Sequence, residues 1–407
     1  MGKKILYISY DGMTDPLGQS QVLPYITELS KQGYRFTILS FEKKKKYQQE
    51  KEIIEKIAKE HSINWVPLFF TSRPPVLAKI YDRWKLLRKA FQLHRREKFD
   101  MVHCRSYIAA EAGLKLKRKT GIRFLFDMRG FWADERVDNG QWKLKKTFYR
   151  KLYQHYKKKE KEFLLHADGI VSLTKAGQNY LLSLPAYKQL SIDVIPCCAD
   201  LAHFDYNKIT EQRRSQLRIE LGISPGKKII TYAGSIGGWY MTAEMFDFYK
   251  LLLAKYPEFV MLILTKDDRE KVINEAVAAG IPRENVFVRY ALRDQMPGFL
   301  SISDCSIFFI RPTFSKTASS PTKHAELMGM GIPVICNDIG DTGSIINATG
   351  TGAVIHSFEE SSYKIVIDKL PELCALPKSM IRQKAFEYFD LKAGAKAYER
   401  LYKRILN

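Results

Sequence analysis

The residues best suited to chemistry lie at 319–338, in the run SSPTKHAELMGMGIPVICND. Pro321 can open a helix, because the amide proton it lacks would have no helical partner there. Ser319 or Ser320 is expected to cap that helix. Free backbone N–H groups at such a terminus, with Thr322 and Lys323 in the first turn, make an anion site suited to phosphates. Glu326, near one turn further on, could accept hydrogen bonds from a ribose diol. The helix is expected to end at Gly331, where Ile332-Pro333-Val334-Ile335 begins a strand. An ordinary capped helix followed by a strand gives the same local pattern.

Other candidates sit at the ends of strand-like runs in the first half. DGMTDPLGQSQVLPYITELSKQGY (11–34) follows the first of these, and places Gly18 in a loop before a helix with apolar positions Val22, Ile26 and Leu29. A glycine there lets backbone amides approach a phosphate or transferring group, or simply supplies a flexible βα turn. His103 ends a run in DMVHCRSYIAAEAG, with Arg105 beside it. In doubly wound folds the carboxyl ends of strands line the ligand crevice, although a lone histidine after a strand is also a common structural residue. Asp127 and Arg129 follow RFLFDM; Asp127 either acts on a substrate hydroxyl or pairs with Arg129.

Several chemistries are missing. The sequence contains no Asp-x-Asp, the usual ligand pair for a metal-bound diphosphate, and no His/Cys set with zinc spacing. It has no phosphate loop of the Gly-x-x-x-x-Gly-Lys-Ser/Thr kind and no nucleophile elbow. Positive side chains and a helix dipole are expected to do the work of a metal, and no cofactor is expected.

The elements that must hold these residues repeat one pattern twice. KKILYIS, RFTILSF, FDMVHC, RFLFDM and DGIVSLT read as strands separated by helical segments, and so do KKIITYAGS, FVMLILT, NVFVRY, CSIFFI, IPVICND and GAVIHSF. Continuous aliphatic strands alternating with helices point to doubly wound parallel sheets. A chain of 407 residues suits two domains of about 150–200 residues each. The expected division is a first Rossmann-like domain over 1–205 and a second over 206–385, with a polar stretch and a Pro-Gly turn near 198–228 between them. Residues 386–407 are expected to form an amphipathic helix, with Ala393, Ala397, Leu401 and Ile405 on one face.

Charge is unevenly spread. The net charge is +22, and residues 1–200 hold 39 basic against 21 acidic side chains while the remainder holds 27 against 23. Two runs, RWKLLRKAFQLHRREK (83–98) and KLKKTFYRKLYQHYKKKEK (143–161), interleave basic with aromatic and aliphatic residues. Such helices suit an anionic membrane surface, or are solvated basic faces. Nucleic acid would attract them too, but no recognition module accompanies them, so it is not expected as a partner. No run approaches the roughly 18 apolar residues that span a bilayer. The six cysteines form no CxxC pair, which fits reduced thiols and a cytoplasmic protein, peripheral on the inner face of the cell membrane.

The 319–338 segment resembles the donor site of glycosyltransferase family 4, the retaining enzymes of the GT-B fold. Their motif sets two glutamates eight positions apart before a Gly-x-Pro-Val strand; here Glu326 and Gly331-Ile332-Pro333-Val334 match, and Ala318 stands at the first glutamate. Many members read Ser-Pro-x-Lys-x-x-Glu, as Ser320 to Glu326 does. VIPCCADLAHF (194–204) resembles the family's interdomain strand, with Cys197 and Cys198 in place of Asn-Gly, and ITYAGSIGGWY (230–240) resembles the Gly-rich turn that opens the nucleotide domain.

The resemblance implies two Rossmann-like domains, with the terminal helix crossing back onto the first. It implies donor contacts at Gly18, Gln19, Gly234 and Ser235. Ser235 stands where the family has arginine, so Arg311, Lys316 and Lys323 are expected to neutralise the diphosphate instead. It places His103 near the donor sugar, and Arg105, Asp127 and Arg129 toward the acceptor. The implied reaction moves a sugar from a UDP- or GDP-type nucleotide sugar, with retention, to a lipid-linked or polysaccharide acceptor of the cell envelope. A nucleotide-sugar epimerase or phosphorylase of the same fold, or a non-catalytic polyanion- or membrane-binding protein, are the alternatives.

Overall fold

Two runs of aliphatic strands build two parallel sheets in the computed structural model, which describes residues 2–407. The first sheet contains β1 (Lys4–Ser9), β2 (Arg35–Glu42), β3 (Asn64–Phe69), β4 (Met101–Arg105), β5 (Arg123–Asp127), β6 (Gly169–Ser172) and β7 (Ile192–Val194), in the order β3-β2-β1-β4-β5-β6-β7. The second contains β8 (Lys228–Ala233), β9 (Phe259–Leu264), β10 (Val286–Arg289), β11 (Cys305–Phe308), β12 (Val334–Asn337) and β13 (Gly352–Ile355), in the order β10-β9-β8-β11-β12-β13. In each sheet the chain steps outward for three strands, then returns to the other side of the first. Central strands such as β9 are buried along their whole length, as sheets covered on both faces require. The α/β class and the doubly wound topology are those expected.

The chain divides into two compact units. The first comprises Met1–Pro196, Thr317–Ser319 and Leu391–Asn407; the second comprises Cys197–Lys316 and Ser320–Asp390. The sequence suggested a division at 205, but residues 197–205 pack with the second unit. Ala199, Leu201 and Phe204 are buried in its core, and the Ala199 amide donates to the Phe389 carbonyl at 3.0 Å. The expected terminal helix 386–407 is two helices, Lys378–Phe389 and Leu391–Leu406, of which the latter belongs to the first unit.

That last helix carries its apolar face onto the first sheet. Leu401 and Ile405 reach the backbone at Gly169, where a Cβ would stand 2.5 Å from the Ile405 Cδ1 atom. Tyr398 packs edge-on against Tyr25 of the helix Leu23–Lys31, with ring centroids 5.5 Å apart. β3 and β7 were not among the expected strands. Pro67 interrupts the donor pattern of β3, which an edge position tolerates. Among the described residues no helix is long and apolar enough to cross a membrane.

Candidate functional site

In the second unit β8 and β11 are neighbours where the strand order reverses, the position at which open α/β sheets bind ligands. Gly234 follows β8 with φ +146°, and a Cβ there would meet the Lys323 Nζ atom at 2.4 Å. Glycine at this turn is what admits the ammonium. Lys323 enters from the helix Thr322–Gly329 and is buried. Its Nζ atom lies 3.5 Å from the ring centroid of Tyr240 and 4.3 Å from that of Tyr232, and has no hydrogen-bond partner among the described residues. Burial pushes its pKa far below the ordinary lysine value, with Glu326 pulling the other way. Ring faces attract a cation, but a buried charge without a counter-ion remains costly.

Glu326 sits one turn along the same helix with 17% of its side chain exposed and the Arg293 guanidinium 3.7 Å away. Burial raises its pKa to about 7, against the opposing pull of Arg293 and Lys323. Arg293 is fixed through its own carbonyl, which accepts from His203 Nε2 at 3.0 Å. Lys316 is buried with Nζ 3.9 Å from the Trp239 ring centroid. Arg311 and Ser235 are exposed, and the Arg311 amide ties β11 to the glycine-rich turn by donating to the Trp239 carbonyl at 2.9 Å. Asp267 pins the same turn, accepting from the Ile236 amide at 2.6 Å and from Thr265 Oγ1 at 3.0 Å.

One expectation fails here. Ser320 does not cap the helix: its hydroxyl accepts from the Cys197 amide at 3.2 Å, and the position before Thr322 is Pro321, which supplies no side-chain cap. The helix also ends at Gly329 rather than Gly331. Tyr232, Tyr240, Trp239, Asp267 and Arg293 were missed by sequence reasoning.

In the first unit Gly18 is not in a loop. It lies within the short helix Pro16–Gln21, where a Cβ would stand 2.2 Å from the Gly12 carbonyl oxygen, so its role is close packing. Gln19 reaches the Thr14 carbonyl at 3.5 Å, the limit of a hydrogen bond. The loop after β1 is held by buried Glu42, whose carboxylate accepts from the Met13 amide at 2.8 Å, the Thr14 amide at 3.2 Å and Ser40 Oγ at 2.6 Å. Nothing in the sequence marked that residue.

His103 and Asp127 are 3% and 1% exposed beneath the helix Leu391–Leu406. His103 Nδ1 is hydrogen-bonded to the Tyr402 hydroxyl at 2.7 Å, and Nε2 lies 3.5 Å from Asp127 Oδ2. Burial lowers the His103 pKa and Asp127 opposes that shift. Burial alone would raise Asp127, but the charges of Arg129, His103 and Arg105 hold it below the usual carboxylate range. Asp127 Oδ2 also accepts from the Tyr398 hydroxyl at 3.2 Å and lies 3.8 Å from Arg129 Nη1. A cavity of about 10 Å³ beside these groups is on the scale of one water molecule.

Arg105 Nε lies 3.4 Å from Asp11 Oδ2. Ser106 and Arg129 have φ of +65° and +59°, a conformation that side-chain-bearing residues rarely adopt. Ala318, where the family places its first glutamate, is buried in the first unit's core; its Cβ would lie 2.9 Å from a Cβ on Gly177. Thr174 Oγ1 donates to the neighbouring Thr317 carbonyl at 2.8 Å. Among the described residues no group of three His, Cys, Asp or Glu side chains is placed to hold a metal.

The family model for Glycosyltransferase Family 4 matches residues 20–203, and that for Glycosyl transferases group 1 matches residues 213–385. No curated protein matches the sequence. Solved structures do. A glycosyltransferase from Rickettsia africae ESF-5 matches with a TM-score of 0.71 at 16% identity, over 100% of this chain and 99% of that one. Sucrose-phosphate synthase from Thermosynechococcus elongatus gives 0.73 at 14%, over 98% of both chains. Anabaena Alr3699/HepE in complex with UDP and glucose gives 0.69 at 13%, over 98% and 99%. At such identities the likeness is one of fold, the GT-B arrangement of two Rossmann-like sheets.

Proposed function

From the premise that this chain belongs to the family 4 glycosyltransferases, with both domains of that type, we propose that it moves a hexosyl group, with retention, from a UDP- or GDP-type nucleotide sugar to a glycan or lipid-linked acceptor of the cell envelope, without a metal. Lys323 carries this reading: a buried ammonium at the carboxyl ends of β8 and β11, held against aromatic faces, fits the diphosphate of a donor. As the bond from the anomeric carbon to the diphosphate breaks, negative charge grows on the leaving oxygen. Lys323, Lys316 and the amides opening the helix Thr322–Gly329 would stabilise it in place of a metal. Glu326 as carboxylate would accept the ribose hydroxyls, and Arg311 and Ser235 stand at the open side of the turn. UDP bound to Alr3699/HepE supports a uridine donor here. In the first unit Gly18 and Gln19 would shape the loop after β1, His103 and Asp127 would position the two arginines, and Arg105 and Arg129 would meet the acceptor.

An anionic membrane on the cytoplasmic side is the proposed setting. Leu77, Ile80, Tyr81 and Trp84 form a stripe, 49–63% exposed, on the helix Pro75–Glu97, opposite the buried face of Ala78, Leu86, Ala90 and Leu93. Arg88, exposed beside them, stacks over Trp84. Aromatic and aliphatic residues flanked by basic ones suit a bilayer interface. In the second basic run Lys157 is unavailable, since it pairs with Asp134 at 2.9 Å and Glu160 at 2.5 Å.

Thermal shift against UDP, GDP and their sugars tests the donor site. A ligand at 100 times its Kd adds about 2.7 kcal/mol of stability; one clear shift, absent in Lys323→Met and Glu326→Ala, is expected. No shift with any of them would end the donor reading.

A further inference from the structure

Resting on the donor reading, the second unit holds a cation placed to act on Glu326 rather than on the ligand. Arg293 lies between β10 and the helix Met296–Leu300, in a turn that its neighbours hold through the main chain. Its carbonyl accepts from His203 Nε2 at 3.0 Å, and the His203 amide donates in turn to Asp200 Oδ1 at 3.1 Å. The Leu292 amide donates to Gln295 Oε1 at 3.1 Å, and the Met296 amide to the Leu292 carbonyl at 3.0 Å. The guanidinium, 5.7 Å from the ring centroid of buried Phe204, is left to face one acid, Glu326, at 3.7 Å. That separation exceeds a direct hydrogen bond, so the contact is one of charge.

Three titratable groups face Glu326. Lys323 is one turn earlier on the same helix, Arg293 comes from the loop after β10, and Tyr240 follows β8. Tyr240 is neutral, its pKa pushed up to about 12 by burial first. His324, on the same helix, packs instead against the rings of Phe308 and Phe389. Of the two cations, Lys323 is the one the diphosphate would engage. A bound diphosphate would cancel the lysine charge and add negative charge beside Glu326, which favours the protonated acid. Arg293 is the cation that remains.

We propose that Arg293 is a positioning residue of the donor site, keeping Glu326 a carboxylate for the ribose while the diphosphate occupies Lys323.

The test follows UDP binding to the full chain by calorimetry from pH 6 to 9. UDP's own terminal phosphate titrates at about pH 6 in every variant, so affinities are read as ratios to wild type. Arg293→Gln should move the Glu326 limb up by about one pH unit, weakening UDP about fivefold at pH 7 and little at pH 9. Arg293→Lys, which keeps the charge, should restore most of the loss. In a Glu326→Gln background Arg293→Gln should change nothing. An unmoved limb, or an equal loss at every pH that persists in Glu326→Gln, would overturn the proposal, the latter by making Arg293 a ligand contact. Urea denaturation without ligand supplies a second arm. The pair needs ionised Glu326, so the cost of Arg293→Gln should appear above pH 7, fade as pH falls through 7, and be absent in Glu326→Gln. A cost independent of pH would also overturn the pairing. If neither UDP nor GDP binds the wild-type chain at any pH, the donor reading fails, and the ligand-free arm still decides whether Arg293 holds Glu326 ionised.

Discussion

The charged groups at the two sheet ends are held by opposite means. In the first unit Asp127 lies beside His103 and Arg129 and accepts from the Tyr398 hydroxyl, one helical turn from Tyr402, which is hydrogen-bonded to His103. In the second, Lys323 faces aromatic rings and has no hydrogen-bond partner among the described residues, and Glu326 lies 3.7 Å from the Arg293 guanidinium. Internal partners make the first cluster a source of stability. Their absence makes the second a source of strain that a ligand can relieve. Identical topology therefore does not imply identical surroundings: one buried charge faces a carboxylate and tyrosine hydroxyls, the other faces aromatic rings.

Substitutions should pull the two apart. The largest effect is expected from Asp127→Ala, which leaves Arg129 buried without its carboxylate and should cost about 3 kcal/mol in urea denaturation, with UDP affinity unchanged. Equal loss of UDP binding would erase the distinction. Lys323→Met should do the reverse: nucleoside diphosphate affinity falls about 100-fold, or about 2.7 kcal/mol, while the ligand-free protein becomes more stable because an unpaired buried charge is gone. A destabilised Lys323→Met chain would show that the aromatic faces satisfy the ammonium by themselves.

Glu326 gives a smaller, pH-dependent signature. Its pKa in the folded chain is raised from 4.5 to about 7. The carboxylate that the ribose needs is therefore lost as pH falls through 7, and UDP affinity should weaken on that side and flatten in Glu326→Gln. The stability sign is opposite: the raised value favours the folded state at low pH and is lost as pH rises through 7, so Glu326→Gln should gain most in stability above neutrality. Smallest is Tyr402→Phe, which removes one hydrogen bond to His103. It should cost about 1 kcal/mol and lower Tm by about 2 °C, with no change in UDP affinity.

Most of the fold was legible because its signal is local. Aliphatic strands such as β8 and β9 declare themselves by composition, and the donor helix by Pro321 and the apolar run after it. β3 escaped because Pro67 and Asn64 break the pattern, and edge position, a tertiary fact, is what rescues it. The site was legible at Lys323 and Glu326 but not in their surroundings. Arg293 comes from a loop after β10 with no motif of its own, and Tyr232 and Tyr240 look like core aromatics until the fold sets them around an ammonium. Ser320 misled for the same reason: its hydroxyl is taken by Cys197, 123 positions away in sequence. Gly18 misled because Pro16 starts a helix two residues too early for a loop.

The first unit's dependence on Leu391–Leu406 has a consequence for how the chain is made. A ribosome delivers residues 1–196 long before the helix that buries His103 and Asp127, and the whole second unit emerges in between. During that interval Leu23–Lys31 and the end of β4 lack their cover, so the nascent first unit presents apolar surface and an unroofed ion cluster. The second unit is itself completed late in synthesis, by the helix Lys378–Phe389. The entropy of closing a loop grows only slowly with its length, so the intervening unit chiefly imposes a delay. Chaperone engagement should therefore concentrate on the early product, and be released as the last sixteen helical residues arrive.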